Sequence, residues 1–238
     1  MLNFSLEFAA PGIAPSPSER LLPYAPAGMS AEVLRLAAVI TPDVSPERRA
    51  VFLQTLLAAV ADRNSNAAAS LGDLAGAREL LPVGARAWDI DIWELDGEPE
   101  TWKEQLRVAQ SDASVFALFS GLGENCWEPV QEFCDSNRLP CWFPSLAKAP
   151  ERAECARFSI YFGQETKSSQ NCIASVTTLH SWIESHGLPL ADEAVQADVF
   201  IATQTLRLAL AAMGERVSRK RLIERGRALL RSSHPLSG

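Results

Sequence analysis

The chain has 238 residues, 47% of them hydrophobic and 21% charged, with a formal net charge of −7. That length suits one large domain or two small ones, and the balance is that of a globular chain able to bury its own core. The acid excess argues against general attraction to nucleic acid or anionic membrane, and no apolar run approaches the ~20 residues that span a bilayer.

Residues 1–29 are rich in Pro, Ala and Ser ("APGIAPSPSERLLPYAPAG") and read as an extended arm, because proline forbids regular helix and sheet. Residues 30–238 read as a single α/β domain. The opening "MLNFSLEFAAPG" has neither the basic region nor the continuous apolar stretch of a secretory leader. A complete chain of this kind is expected in the cytoplasm.

"VLRLAAVI" (Val33 to Ile40) fits a buried strand or a turn of helix; its shortness and the following "TPD" favour the strand. "SPERRAVFLQTLLAAVADRN" predicts a helix capped by Ser45, with Pro46 in its first turn and Val51, Phe52, Leu56 and Val60 on its apolar stripe. "SLGDLAGARELL" predicts a second, weaker helix. "ARAWDIDIWELDG" alternates, with Trp88, Ile90 and Ile92 against Asp89 and Asp91, as an edge strand with one wet face does.

A helix follows in "EPETWKEQLRVAQ". "VFALFS" is apolar on both faces and predicts a central strand between helix layers. "WEPVQEFCDSN" predicts a helix, "LPCWFP" a short strand, and "RFSIYFG" a strand with Phe158, Ile160 and Phe162 on one face. Three helices close the chain. The first ends at Gly187, the second runs from Asp192 to Gly214, and the third begins at Ser218. This order predicts a three-layer α/β/α fold around a parallel sheet of roughly five strands in the order 2-1-3-4-5.

In such a sheet, ligands sit beyond the carboxyl ends of the strands, where strand order reverses. That places Thr41, Pro42 and Asp43 after the first strand and Ser120, Gly121, Leu122, Gly123 and Glu124 after the third as candidate ligand-binding residues. Backbone N–H groups at the start of the Trp127 helix favour an anion, and the Ser120 hydroxyl adds a hydrogen bond. The plainer alternative is a turn whose glycines only let the chain bend. A dinucleotide fingerprint fails because Cys126 stands where the third glycine belongs, and no Gly-Lys-Ser/Thr follows to make a phosphate loop.

The esterase turn G-x-S-x-G is missing, and His180, His186 and His234 all fall in the helical C-terminal part. Asp89, Asp91, Glu94 and Asp96 read as an acidic rim. With no nucleophile–base pair in view, no catalytic residue is assigned and a non-enzymatic role is expected. The basic run Arg216, Arg219, Lys220, Arg221, Arg225, Arg227 and Arg231 reads as a solvated helix face or a partner contact rather than a nucleic-acid site.

Of the five cysteines (Cys126, Cys134, Cys141, Cys155 and Cys172), none form C-x-x-C and none lie at metal-ligand spacing from a histidine. No metal and no cofactor are therefore expected. Buried free thiols are the commoner fate of such residues. A Cys134–Cys141 disulfide is the alternative if the protein is exported.

"VFALFSGLGENCWEPVQEFCDSNRLPCWFP" resembles the type 1 periplasmic binding proteins, the substrate-binding components of branched-chain amino-acid-type ABC transporters. The shared pattern is W-x-P-V-x-x-F-C-x-x-x-x-x-P-C-x-F-P. "RFSIYFG" is similar to the strand that follows in that branch, and "WIESHGLPLADEAVQADVFIATQTLRLALAAM" with "SRKRLIER" to its closing part. The resemblance covers Ala85 to Arg231 well and Val33 to Gly84 weakly. It implies a two-lobed, hinged protein that closes on a small polar solute such as an amino acid, in the periplasm. It carries the ligand role to Ser120 through Gly123, and further to Pro144 and Ser145.

The family inserts a second lobe after the strand that matches "RFSIYFG". Here only "QETKSSQNCIASVTTL" separates that strand from the closing helices, too little chain for a lobe. The expectation is thus a one-lobed, degenerate binding protein. A protein-interaction platform, alone or as a homodimer, is the alternative, and a Rossmann-like enzyme ranks last.

Overall fold

A computed structural model of the chain describes residues 26–71, 82–151, 153–162, 170–214 and 217–232. All but the last four residues of the expected arm lie outside these, as do the expected second helix beyond Leu71, His234, and the side chain of Cys172.

The sheet is laid down by β1 (Val33–Ile40). Its period of two sends Leu34, Leu36, Ala38 and Ile40 into one apolar cluster and Ala37 and Val39 into another. A strand buried on both faces belongs in the middle of a layered fold. β2 (Ala87–Glu94) pairs with β1 in parallel along its whole length, from Val33 opposite Ala87 to Ile40 opposite Glu94. It pairs with no other named strand, and Asp89 on it is exposed.

On the other side of β1 stand β3 (Ala117–Phe119) and β4 (Leu122–Gly123). Next come β5 (Cys141–Trp142) and β6 (Ser145–Leu146), paired to β3 and β4 respectively, and then β7 (Ser159–Ile160) beside β5. All these pairings are parallel. The sheet has seven strands rather than the roughly five expected. The cause is local: Ser120 (φ 51°) and Phe143 (φ 47°) adopt left-handed backbone, which interrupts two ladders. The interruptions lie side by side. The Ser120 N–H donates to the Trp142 carbonyl at 2.9 Å, and the Ser145 N–H to the Gly121 carbonyl at 2.7 Å.

Helices cover both faces. On one lie α1 (Pro46–Leu71), α5 (Glu193–Ala211) and α6 (Arg219–Ser232), with α4 (Gln170–Ser185) packed through Leu179 and Ile183 onto Phe200 of α5. On the other lie α2 (Pro99–Asp112) and α3 (Glu128–Asn137), bringing Trp102, Leu106, Val130 and Phe133 to the second cluster.

Ser45 caps α1 as expected, and Asp192 and Ser218, expected as helix starts, cap α5 and α6. Ser45 Oγ accepts the Arg48 N–H at 3.3 Å, Asp192 accepts the Val195 N–H at 3.1 Å, and Ser218 Oγ accepts the Arg221 N–H at 3.2 Å. Gly226 lets α6 lie close on the sheet, since a Cβ there would come within 2.5 Å of both Trp142 and Ile160. Among the described residues no helix is long and apolar enough to cross a membrane.

Candidate functional site

The loops expected to carry ligand meet at the carboxyl ends of the strands. Thr41, just after β1, is buried; its N–H donates to the Leu122 carbonyl at 3.0 Å. The Thr41 hydroxyl donates to Asp43, whose other oxygen accepts the Asn125 N–H at 2.7 Å. Burial pushes the Asp43 carboxyl up. The bonds from Thr41, Asn125 and Glu124 outweigh it and hold the group below its ordinary value. So the loops after β1 and β4 are tied through one aspartate.

The Gly-Leu-Gly turn holds a side chain. A Cβ on Gly121 would meet the Trp127 ring at 2.4 Å, and one on Gly123 would meet the same ring at 2.9 Å. The indole of Trp127, 2% exposed, lies across both glycines. Leu122 between them is fully buried and belongs to the core. The start of α3 is likewise occupied from within. The Glu128 carboxylate accepts the Trp127 N–H at 3.1 Å, with the Glu151 N–H at 3.4 Å on its other oxygen. An acid in the first turn of a helix supplies the negative charge that a bound anion would otherwise bring.

Glu124 turns towards α1. Arg48 Nη1 donates to Glu124 at 3.1 Å and Arg48 Nε to Asp192 at 2.9 Å. One guanidinium in the first turn of α1 thus joins the loop after β4 to the N-cap of α5. Ser145, after the break in the next strand, is buried, and its hydroxyl donates to Asp198 of α5 at 2.6 Å. Burial, aided by the charge of Asp192, raises the Asp198 carboxyl to about 6; the Ser145 bond and Arg48 pull the other way without cancelling it.

Thr41, Asp43, Gly123, Glu124 and Ser145 are therefore brought to one edge, as neighbours of Arg48, Asn125, Asp192 and Asp198. Ser120 stands apart. It is fully buried, and its hydroxyl has no hydrogen-bond partner. Sequence reasoning missed Arg48, Asn125, Asp192 and Asp198 as members of this edge. Only the N-cap pattern at Asp192 gave a sign that an acid there had a structural task. Two surface depressions, about 380 and about 370 Å³, open at the opposite end of the strands. Arg35 and Asp89 line the first, and Arg138, Phe158 and Arg219 the second.

The histidines described lie on α4 and beside it. His180 contacts Glu193, beside Asp192, at 2.7 Å, and His186 contacts Asp62 at 3.5 Å. The basic C-terminal helix spends two arginines on the backbone: Arg219 donates to the Phe116 and Val115 carbonyls, and Arg227 to that of Ala156. Among the described residues no group of three His, Cys, Asp or Glu is placed to hold a metal ion. No protein-family model, curated protein or solved structure gives a significant match to this chain.

Proposed function

We propose that this chain is a non-enzymatic protein built on a single lobe of the periplasmic-binding-protein kind, and that it serves as a protein-interaction platform. The lobe reading rests on the "WEPVQEFCDSNRLPCWFP" segment and on strand adjacency. With each interrupted strand taken once, the lateral order is β2, β1, β3/β4, β5/β6, β7, which is 2-1-3-4-5. A periplasmic location rests on the same resemblance.

The observation that favours a platform is what fills the turn. Trp127 covers Gly121 and Gly123, and Glu128 and Asp43 accept the N–H groups that an anionic ligand would use. The strand ends are thereby spent on holding the lobe's own elements together.

Two measurements test this. Melting is followed across amino acids and small carboxylates, and mass in solution by light scattering. The platform reading expects no thermal shift together with a stable dimer or hetero-complex. A ligand at a hundred times its Kd stabilises by about 2.7 kcal/mol, and a shift of that size overturns the platform in favour of solute binding.

The solute reading has one observation of its own: the surplus of carboxylates at the strand-end edge. Asp43, Glu124, Asp192 and Asp198 outnumber Arg48 at this edge, so a solute there would present an amino group to it. Glu124→Gln, at this edge, would then weaken a measured thermal shift.

A further inference from the structure

Cys134 lies in the last turn of α3 and Cys141 opens β5. Between them the chain reads "DSNRLP", and it returns on itself within those six residues. Arg138 takes left-handed backbone (φ 50°), and the Leu139 N–H donates back to the Cys134 carbonyl at 2.9 Å. A helix end of this kind reverses the chain in a few residues. It sets Cys141 against the helix it has just left.

Both side chains are buried, at 0% and 2% exposure, in the same cluster between α2, α3 and the sheet. The other described cysteines have different surroundings. Cys126 donates to the Glu128 carboxylate at 3.5 Å, and Cys155 is exposed. Two buried thiols of one cluster, seven residues apart across a chain reversal, are the pair that the fold places for a bridge.

We propose that Cys134 and Cys141 form a dithiol that closes to an intrachain disulfide by exchange with a small-molecule disulfide such as oxidised glutathione, locking α3 to β5. In the exchange one thiolate attacks the reagent's S–S bond and releases one glutathione thiol. The second thiolate then attacks the mixed disulfide and releases the other. Two S–H bonds and one S–S bond break, and one protein S–S bond forms. The two electrons and two protons reside on the two released glutathione thiols.

Burial pushes the Cys134 thiol well up, so the attacking thiolate forms during transient opening and exchange is slow. The bridge fixes the elements that carry Trp127 at one end and Trp142 and Phe143 at the other. It therefore holds the strand-end turn itself. It does not depend on whether that edge serves a partner or a solute.

Arg138 makes the test direct, because trypsin cleaves between the two cysteines. Cys134 falls in the peptide 108–138, with Cys126, and Cys141 in the peptide 139–148. The native full-length chain is held with oxidised glutathione for hours, its remaining thiols are alkylated, and it is digested without reduction. The expected result is the linked pair 108–138/139–148. It should form in the wild type and in Cys126→Ser, and be lost in Cys134→Ser and Cys141→Ser. A melting midpoint roughly 5–10 °C above that of dithiothreitol-treated protein should accompany it. Recovery of both peptides alkylated, or each carrying its own glutathione, overturns the proposal. So does a linkage that disappears in Cys126→Ser.

Discussion

The indole of Trp127 occupies the space that a side chain on Gly121 would need, with 2.4 Å between its Cη2 and a Cβ built there. The Val39 carbonyl lies 2.9 Å from the same point, so the site is closed on two sides. Gly121 is therefore a packing residue, and its missing side chain is what allows Trp127 to bury.

Gly121→Ala should destabilise the fold by roughly 1–3 kcal/mol through overpacking. Trp127→Ala should cost about 3–5 kcal/mol, the range for emptying a large aromatic site. Urea unfolding with matched m-values measures both. If the glycine were instead there to admit a ligand, Gly121→Ala would leave the midpoint unchanged.

Gly226 sets two effects against each other. Alanine gains about 1 kcal/mol over glycine inside a helix. The added Cβ would lie 2.5 Å from Trp142 and from Ile160, in a packed core that loses roughly 1–3 kcal/mol to an extra carbon. Trp142 is pinned by its own hydrogen bond to the Ala202 carbonyl at 3.1 Å, so it yields little. Gly226→Ala should therefore be net destabilising, and a raised thermal midpoint would show that α6 is free to shift.

Arg48 holds Glu124 and Asp192 with side chains only about a quarter exposed. Arg48→Met removes both bonds while keeping the aliphatic stem, and leaves two carboxylates facing each other. A loss of roughly 1–3 kcal/mol is expected, larger than for an exposed pair such as Arg107–Glu104. The check is a comparison of Arg48→Met with Arg107→Met under the same conditions; equal midpoints would reduce Arg48 to an ordinary surface pair.

Asp198 gives a pH dependence of definite sign. Its carboxyl ionises near 6 in the folded protein and near 3.8 when free, so the folded state binds the proton more tightly. Stability from this group is full below about pH 4 and is lost as pH rises through about 6. The shift corresponds to at most about 3 kcal/mol. Asp198→Asn keeps an acceptor for Ser145 and removes the charge. It should raise the urea midpoint at about pH 8 and leave it nearly unchanged at about pH 4. A lower midpoint at both would mean that the Arg48 field more than repays the burial of the carboxylate.

Much of the fold was legible because it is written in local period. β1 is apolar at every position but Arg35, β2 alternates Trp88, Ile90 and Ile92 with acids, and α1 carries its cap and proline in sequence. The seven-strand count was not legible. Ser120 and Phe143 carry no mark of a left-handed backbone, which glycine would have given. That conformation is imposed by the neighbouring strand, through bonds such as Ser120 to Trp142 and Ser145 to Gly121.

The candidate edge divides the same way. The sequence by itself placed Thr41, Asp43 and Glu124 at the carboxyl ends of parallel strands, because connection length and strand period leave few other topologies, while Ser145 came only from the family resemblance. Only the tertiary structure decided what they meet there. Arg48 finds partners 76 and 144 residues away, and Ser145 finds Asp198 53 residues away. No local pattern encodes such pairs, since they exist only once α1 and α5 pack on one face of the sheet. The same packing turned "SGLG" from a turn awaiting a ligand into the seat of Trp127: a glycine records that space is needed, and only the folded neighbours say what fills it.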